Sequence, residues 1–337
     1  MKRVIIDHFG GPEVVSVVEE DDPKPGPGEV RVKVLASGVS LSDAQMRAGT
    51  YLGGPKPPFT PGYELVGVVD ELGAGCSAPR VGDRVGALTQ WGANAELVCA
   101  PEQYAVEVPE DIDPAEALGL VFIYMTAYQM LHRAAKAKPT ETVLVHGAAG
   151  RVGTAVLELA TAAGLRVYGT ASADDRAAVE RAGAVAIDYR TEDFLTRVRE
   201  LTGDGVDIAL DPFGGAMALR SFRALRPGGR LVIYGRQNTI VRGRKNWPGM
   251  FEWYAGTVLV ALWGLLSPRR QVMAYRIQKL RIPHQDWFQE DFRALLELLR
   301  EGRIHPIVAE RLSLCDARRA HELLERTAAS GKLVLIS

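Results

Sequence analysis

The order of hydrophobic and polar positions divides the chain into parts of different texture. Up to about residue 117, short Val-rich runs are bounded by Gly or Pro, a pattern typical of β-strands separated by turns. The strands that it predicts are residues 14–20, 29–40, 64–72, 83–88 and 93–100. Residues 22–28 contain three prolines and two glycines, which excludes a helix there. This part of the chain therefore predicts a compact antiparallel β domain, expected to span residues 1–118.

From about residue 119 to residue 283, short apolar strands alternate with helices that carry apolar residues on one face. The strands predicted are 142–146, 166–170, 206–211 and 230–235, and the helices are 152–163, 174–182, 191–202 and 216–225. Repeated βα units imply a parallel sheet with helices on both faces. The tail, residues 284–337, predicts helix 292–301, strand 304–312, helix 316–327 and strand 332–336. The fold class expected is α/β, with a doubly wound domain between two parts of a β-rich one.

Composition narrows the function classes. The 337 residues are 47% hydrophobic and 24% charged, with a net charge of −1, so nothing general attracts the chain to nucleic acid. Three cysteines far apart in sequence suit a reducing cytosol. The longest apolar run, residues 255–266, is shorter than the roughly 20 residues needed to span a bilayer. We therefore expect a cytoplasmic protein without a membrane span.

A glycine-rich turn, residues 147–153, follows the predicted strand 142–146 and opens the helix 152–163. Small residues at such a turn let backbone N–H groups approach a pyrophosphate, and the helix N-terminus favours its negative charge. Gly153 would permit close packing of helix and strand. The alternative is a plain tight βα turn, but the flanking elements favour a dinucleotide site.

The end of the next strand bears on which dinucleotide binds. NAD sites usually place an acidic residue there, on the ribose hydroxyls. Here Ser172 and Arg176 fit a 2′-phosphate better, which favours NADPH. Asp174 and Asp175 leave an alternative open, because either could be the ribose acid or a residue of a helix first turn that interacts with the dipole.

Several motifs together resemble one known family over nearly the whole chain. They are residues 38–43 (GVSLSD), 61–69 (PGYELVGVV), 81–85 (VGDRV), the glycine-rich turn, 320–325 (AHELLE) and 331–335 (GKLVL). In combination they resemble the medium-chain dehydrogenase/reductase superfamily, and within it the zinc-independent quinone oxidoreductase-like reductases. The resemblance implies a GroES-like catalytic domain built from both chain ends, a Rossmann domain between them, and NADPH bound in the cleft.

The resemblance also implies roles for single residues. Those expected to hold the 2′-phosphate are Ser172, Arg176 and Tyr189. Those expected along the pyrophosphate are Ala149, Gly150, Arg151 and Val152. Those expected near the nicotinamide or bordering the same cleft are Thr126, Tyr234, Gly235, Leu333 and Val334.

The chain departs from the zinc-dependent relatives at two metal-ligand positions. Ser40 stands where they carry Cys, and Tyr63, before Glu64, stands where they carry His. A catalytic zinc needs three protein ligands, so no metal is expected. Asp43 is interpreted as the N-cap of a helix starting near residue 44, and the alternative is that it orients the active-site loop. In the quinone reductases that the chain resembles, Asn is frequent at the position of Ser40 and Tyr at that of Gln45, whereas Tyr51 keeps an aromatic residue; the resemblance makes these three the candidate catalytic residues. Tyr51 is interpreted either as a hydrogen-bond donor to a substrate carbonyl or as an ordinary half-buried Tyr.

An aromatic segment, residues 247–266, holds three of the five Trp residues. It is interpreted either as core or dimer contact, or as the wall of a large apolar substrate pocket lined by Trp247, Phe251, Glu252 and Tyr254. Glu252 would be a buried proton donor in the second case and a solvated helix residue in the first.

The function expected is therefore that of an NADPH-dependent, metal-free reductase. It would transfer hydride to the conjugated C=C of an enone, a quinone or an extended polyenone, possible substrates including a secondary-metabolite intermediate that closes a ring on reduction. The partner expected is a small-molecule substrate, and the assembly expected is a homodimer. The alternatives are a zinc-free alcohol dehydrogenase acting on C=O, and a non-catalytic, membrane-associated nucleotide-binding protein with residues 250–266 lying on lipid.

Overall fold

The computed structural model describes residues 1–236, 239–241, 244–267, 269–281, 284–326 and 331–337. The described residues form two units. One, here the terminal unit, contains Met1–Met125, Ile240–Lys245 and Leu280–Ser337, and the other, here the central unit, contains Thr126–Thr239 and Asn246–Lys279. The domain limit expected at residue 283 and the helix end expected at residue 327 lie outside the described residues. The limits expected from the sequence, after residues 118 and 283, stay a prediction.

The strands and helices follow one another along the chain. The strands are β1 Lys2–Ile6, β2 Val15–Glu19, β3 Glu29–Val39, β4 Glu64–Leu72, β5 Arg84–Leu88, β6 Leu97–Pro101, β7 Ala105–Glu107, β8 Thr142–His146, β9 Arg166–Ala171, β10 Val185–Asp188, β11 Val206–Asp211, β12 Leu225–Ile233, β13 Ile240–Val241, β14 Arg244–Lys245, β15 Gln271–Ala274, β16 Val308–Ser313 and β17 Lys332–Ile336. The helices are α1 Leu41–Arg47, α2 Pro114–Gly119, α3 Met125–Gln129, α4 Arg151–Ala162, α5 Arg176–Arg181, α6 Phe194–Thr202, α7 Gly215–Ala224, α8 Trp247–Leu266, α9 Ile277–Arg281, α10 Gln285–Arg300 and α11 Ala317–Arg326. Two π-helical turns, Leu120–Tyr124 and Met130–Ala134, flank α3.

The terminal unit is built on a mostly antiparallel sheet in the order β16-β17-β3-β4-β5-β7, with β6 also paired to β3. β17 pairs antiparallel with β3, so that Leu333 faces Val39 and Val334 faces Gly38. The last strand of the chain thus lies in the same sheet as the early ones. Alternate Val residues of β3, such as Val30, Val32 and Val34, are buried in the core, as the period of two in the sequence predicts.

The central unit holds a parallel sheet in the order β10-β9-β8-β11-β12-β15. In chain order this is 3-2-1-4-5-6, the doubly wound order in which the topology reverses between β8 and β11. All five residues of β8 are buried, because helices cover both faces of such a sheet. The expected α/β class, with a GroES-like part and a Rossmann part, is confirmed.

Most of the predicted elements are present, and several are longer or shifted. β4, β11 and β17 have the predicted limits, whereas α10 begins seven residues before its predicted start and β6 four residues after. The strands β1, β10 and β15 and the helix α8 were not predicted as such. α8 shows that the length argument against a span was wrong: the helix has 20 residues and is long and apolar enough, by length and composition, to cross a membrane.

Candidate functional site

The glycine-rich turn of the central unit joins β8 to α4 at the carboxyl end of the sheet. Gly147 has φ of 64°, a left-handed conformation that favours glycine. A Cβ atom on Gly153 would lie 2.2 Å from the carbonyl oxygen of Gly147, so any other residue there would push the turn away from the helix. The sequence-based role of Gly153 in close helix–strand packing therefore agrees with the geometry.

The start of α4 fits an anionic ligand. Gly150 is the N-cap, with extended backbone, and offers no side chain to the first N–H groups of the helix. Those N–H groups belong to Arg151, Val152 and Gly153, at the position of the doubly wound sheet where the strand order reverses. Backbone donors, the helix dipole and the absence of a side chain at Gly150 are what a pyrophosphate requires. Ala149 belongs to the same turn, but the role of each of these residues stays a prediction.

The neighbouring strand ends bring the expected 2′-phosphate residues to one edge of the sheet. Ser172 follows β9, and Tyr189, whose N–H donates to the carbonyl of Ala171 at 3.2 Å, follows β10. The Arg176 guanidinium lies 3.5 Å from the Glu192 carboxylate. Two hydroxyls and a guanidinium on adjacent strand ends suit a phosphate.

An acidic residue shares that edge, and the sequence had left its role open. The Ser172 hydroxyl donates to the Asp175 carboxylate at 2.6 Å. A bound 2′-phosphate would have to compete with Asp175 for this hydroxyl and with Glu192 for Arg176. Asp175 thus lies where it opposes a phosphate and could accept a hydrogen bond from a ribose hydroxyl.

A buried polar network holds the carboxyl ends of the central strands together. The imidazole of His146 contacts the hydroxyls of Thr170 at 3.2 Å and Ser221 at 3.1 Å, and Ser221 donates to Asp211 at 2.8 Å. Burial lowers the pKa of His146, so it is neutral near pH 7. A Ser, a His and an Asp in contact do not form a nucleophile here, because all three are buried under the glycine-rich turn and support it.

Two of the remaining expected cofactor residues, Tyr234 and Gly235, follow β12, which borders this network. Gly235, after β12, packs so closely on Pro212 that a Cβ atom would come within 2.3 Å of the Pro212 carbonyl oxygen. The backbone N–H of Tyr234 donates to the carbonyl of Asp211 at 3.0 Å. Thr126 is buried in α3. No contact of these residues identifies a nicotinamide site, and their roles stay predictions.

In the terminal unit, α1 begins one turn earlier than expected, which changes the role of Asp43. Ser40 is the N-cap of α1 and Asp43 is its third residue, so the interpretation of Asp43 as the N-cap was wrong. The Asp43 carboxylate is fully buried and accepts from the Ser40 hydroxyl at 2.6 Å and from the N–H groups of Ser40 and Gly62, each at 2.8 Å. Burial raises the pKa of Asp43, against these hydrogen bonds. Because the Ser40 hydroxyl donates its hydrogen bond to Asp43, its catalytic role, which stays a prediction, would be that of an acceptor or a positioning group.

Two tyrosines meet beside this cluster. The hydroxyl oxygens of Tyr51 and Tyr63 are 2.9 Å apart, and Tyr63 stacks on Phe122 with ring centroids 4.1 Å apart. Tyr63 is buried, whereas Tyr51 is half-buried, so Tyr51 is the member of the pair that a ligand can reach. The backbone carbonyl of Gln45 accepts from the Tyr51 N–H at 3.2 Å, and the Gln45 side chain is buried.

Glu64 and Lys332 form a buried ion pair behind Tyr63. Burial lowers the pKa of Lys332 to about 8, while the Asp43 charge opposes this shift. A Cβ atom on Gly38 would come within 2.1 Å of a Glu64 carboxylate oxygen, so glycine is required beside the pair. Leu333 and Val334 follow Lys332 in β17 and are buried, and their proposed place beside a cofactor stays a prediction.

Among the residues that the structure describes, no three His, Cys, Asp or Glu side chains come together as a metal site. The positions at which zinc-dependent relatives carry Cys and His hold a hydroxyl bound to Asp43 and a phenol stacked on Phe122. Neither group is a thiolate or an imidazole, the ligands typical of a catalytic zinc besides carboxylates.

Three aromatic residues of α8 are on the outside of the central unit. Trp247 and Phe251 are 67% and 77% exposed, and Tyr254 is 41% exposed. Glu252 is exposed and accepts from the N–H of Ala216 at 3.2 Å, in the first turn of α7. Its environment within this unit is thus that of a solvated helix residue, and the pocket role of all four residues stays a prediction.

Comparison with known proteins decides the family. The alcohol dehydrogenase GroES-like domain family matches residues 26–110, and the zinc-binding dehydrogenase family matches residues 182–335. The synaptic vesicle membrane protein VAT-1 homolog of Rattus norvegicus is 32% identical over 340 residues, which cover 100% of this chain and 84% of that protein. The chain belongs to the medium-chain dehydrogenase/reductase superfamily, on its quinone oxidoreductase-like branch.

Two quinone oxidoreductases illustrate that branch of the superfamily. The human enzyme is 28% identical over 342 residues, which cover 100% of this chain and 98% of that one. The crystal structure of Escherichia coli quinone oxidoreductase complexed with NADPH is 30% identical, with a TM-score of 0.87 and full coverage of both chains. Membership of this medium-chain dehydrogenase/reductase branch confirms the resemblance on which the sequence interpretation rested.

For some residues of the site, nothing in the sequence indicated their contacts. Lys332 belongs to the motif 331–335, which indicates the family but no partner, and the pairing of β17 with β3 carries it inside beside Glu64. Phe122 lies in an apolar run without any polar neighbour that would single it out. The only sequence signal for Tyr63 was its replacement of a zinc ligand, which says nothing about its contact with Tyr51.

Proposed function

We propose that this protein is an NADPH-dependent, zinc-independent reductase that transfers hydride to the conjugated C=C of an enone, a quinone or an extended polyenone. The observation that carries the cofactor part is the start of α4, where Gly150 offers a pyrophosphate the backbone N–H groups of the helix without a side chain, and Gly153 lets the turn pack closely on the helix. The NADPH complex of the similar E. coli quinone oxidoreductase supports the same cofactor.

When bound, NADPH supplies the hydride, which carries the two electrons of the reduction. The chain's own residues bind and orient it: the N–H groups of Arg151 and Val152 face the pyrophosphate, and Arg176 with Ser172 faces the 2′-phosphate. Once hydride reaches the electron-poor carbon, negative charge collects on the substrate oxygen. That oxygen needs a hydrogen-bond donor, and finally a proton, to give the neutral product.

Tyr51 is our candidate for that donor. Its hydroxyl is half-buried and lies 2.9 Å from the hydroxyl of Tyr63, which is itself held by stacking on Phe122. A phenol fixed in this way can donate to an oxyanion without the reorientation that a free side chain needs. Ser40 caps α1, and Gln45 in that helix accepts from the Tyr51 N–H through its backbone carbonyl. The metal-ligand positions hold no thiolate or imidazole, which supports a mechanism without zinc.

The reaction is tested by following NADPH oxidation with quinones, enones and polyenones, using cofactor that carries deuterium at the transferred position. Deuterium on the carbon β to the carbonyl of the product supports C=C reduction. Deuterium on a carbinol carbon would instead support the zinc-free alcohol dehydrogenase. A Gly153→Val variant, which should lose the turn, is the negative control.

NADPH binding without turnover of any substrate would favour the remaining alternative, a non-catalytic nucleotide-binding protein that associates with membranes. The name of the rat relative, a synaptic vesicle membrane protein, supports keeping that alternative. We also propose a cytoplasmic location, which cell fractionation tests, and a homodimer, which light scattering tests.

A further inference from the structure

Helix α8 exposes an apolar face along the central unit. Val258, Leu262 and Leu265, spaced by four and three residues, lie on one side of the helix and are 58%, 49% and 82% exposed. The opposite side packs tightly on α7: a Cβ atom on Gly256 would come within 2.4 Å of the backbone of Gly215. The apolar face therefore belongs to a firmly seated helix, and about half or more of each of its three side chains is exposed.

The segment that contains α8 is rich in basic residues. Between residues 236 and 281 the sequence has nine Lys and Arg residues and a single acidic residue, Glu252. The guanidinium of Arg236 lies 5.4 Å from the centre of the Trp253 ring, and that of Arg223 lies 5.2 Å from the centre of the Trp263 ring. The acidic residue is turned toward the first turn of α7, where its carboxylate accepts a backbone hydrogen bond. Trp253 and Trp263 themselves lie on the packed side of α8, where Trp253 donates to the Gly235 carbonyl and Trp263 packs on the core with Phe222. Of the cations near the helix, Arg223 and Arg269 are exposed. An exposed apolar helix face with exposed cations near it has the composition of helices that lie at a membrane–water interface.

We propose that α8 binds an anionic lipid surface, with the helix axis in the membrane plane and the face of Val258, Leu262 and Leu265 inserted at the headgroup boundary. Arginine residues beside the face then contact lipid phosphates, which gives the attraction that an anionic leaflet exerts on basic segments. The proposal uses none of the residues assigned to the cofactor and does not depend on the reductase activity.

Charge argues against a second copy of the chain as the occupant. A symmetric contact through α8 would bring the same cation-rich surface of each copy together, since an isologous interface pairs a patch with itself. With one acidic residue in the whole segment, such a contact lacks opposite charges. An anionic bilayer supplies both the negative charge and the apolar medium.

Packing argues against a membrane span. α8 has the length of a span, about 30 Å at 1.5 Å per residue. A span would have to give up the contact of Gly256 with Gly215 and the hydrogen bond from the Trp253 indole to the Gly235 carbonyl, 3.1 Å long. In-plane binding keeps both and inserts only the outward face.

Vesicle binding by the full-length protein tests the proposal. Co-sedimentation is compared between vesicles of pure phosphatidylcholine and vesicles of phosphatidylcholine with phosphatidylglycerol. We expect binding to the anionic vesicles, weakened by salt, and quenching of tryptophan fluorescence by brominated acyl chains. The triple variant Val258→Gln, Leu262→Gln and Leu265→Gln should bind at least about tenfold more weakly. The double variant Arg223→Glu and Arg269→Glu should lose about tenfold as well.

The matched control replaces three exposed apolar residues elsewhere, with Val81→Gln, Val185→Gln and Ile307→Gln, and should bind as the wild type does. Circular dichroism and NADPH binding report whether each variant is folded. Equal sedimentation of all variants, or no sedimentation with anionic vesicles, would overturn the proposal. The proposal would also be overturned if the triple variant of α8 dissociated an oligomer and left vesicle binding unchanged, because the face would then be an interface between copies. Protein that stays in the bilayer after high-salt and alkaline washes would show a span and overturn in-plane binding.

Discussion

Replacing Lys332 with Met should cost the terminal unit about 3–5 kcal/mol, the range for removing one partner of a buried ion pair. Lys332 and Glu64 are 2% and 0% exposed. Without the ammonium group the Glu64 carboxylate stays inside, and one of its oxygens, Oε2, already has no hydrogen-bond partner among the described residues. The neighbouring Phe122 ring, 6.0 Å from the ammonium nitrogen, offers the carboxylate no donor.

The cost of the single variant arises from the Glu64 carboxylate that it leaves unpaired. The Lys332 ammonium is itself costly to bury, because burial lowers its pKa from 10.5 to about 8. A difference of that size corresponds to about 3 kcal/mol spent on holding the charge inside the fold. The attraction between Lys332 and Glu64 offsets this cost rather than adding to it. We therefore expect the double variant Glu64→Leu and Lys332→Met to lie within about 1–2 kcal/mol of the wild type, well above either single variant.

The pH dependence has a definite sign. Between about pH 8 and 10.5, the unfolded chain keeps the Lys332 proton while the folded chain has released it. The unfolded state then binds more protons, so this residue makes the fold more stable as the pH rises through that interval. The Lys332→Met variant should lack that rise.

Hydrogen exchange at the amides of β3 and β17, together with urea unfolding, measures the effect in the unit concerned. A Lys332→Met variant that loses less than about 1 kcal/mol would refute the reasoning, as would single-variant losses that simply add in the double variant. Either result would mean that water or another group supports the carboxylate.

The remaining predictions concern the proposed chemistry. Tyr51→Phe should lower kcat about 10–100-fold with little change in KM. Tyr63→Phe should lower kcat less, because it removes only the hydroxyl that positions Tyr51. Equal increases of KM in both variants would contradict this prediction. Arg176→Ala should weaken NADPH about tenfold and leave NADH unchanged, whereas Asp175→Asn should strengthen NADPH; titration of both cofactors decides. Gly153→Ala should reduce binding of both cofactors alike, since its Cβ atom displaces the turn. Protein purified without added metal should contain no stoichiometric zinc by elemental analysis, and activity restored by zinc after chelation would contradict the metal-free mechanism.

The sequence by itself determined the local elements and the nucleotide-type turn. The limits of strands such as β4 and β11 follow from the sequence, because a run of apolar residues bounded by turn residues marks where such a strand begins and ends. The turn at residues 147–153 was identifiable because the chemistry needs adjacent residues: a strand, a glycine-rich turn and the start of a helix. The loss of thiolate and imidazole at Ser40 and Tyr63 was visible too, since it depends on residue type alone.

Only the tertiary structure decided which distant groups meet. The partners Glu64 and Lys332 are 268 residues apart, and only the pairing of β17 with β3 brings them together. Likewise, the competition of Asp175 for Ser172 depends on side-chain directions that no spacing encodes. The apolar run counted in the sequence covered only residues 255–266, whereas α8 has 20 residues. Hydropathy also does not reveal that one side of α8 packs tightly on α7 and leaves the other side exposed. Sequence patterns report the period and chemistry of neighbours, whereas burial and pairing are properties of contacts that the fold alone creates.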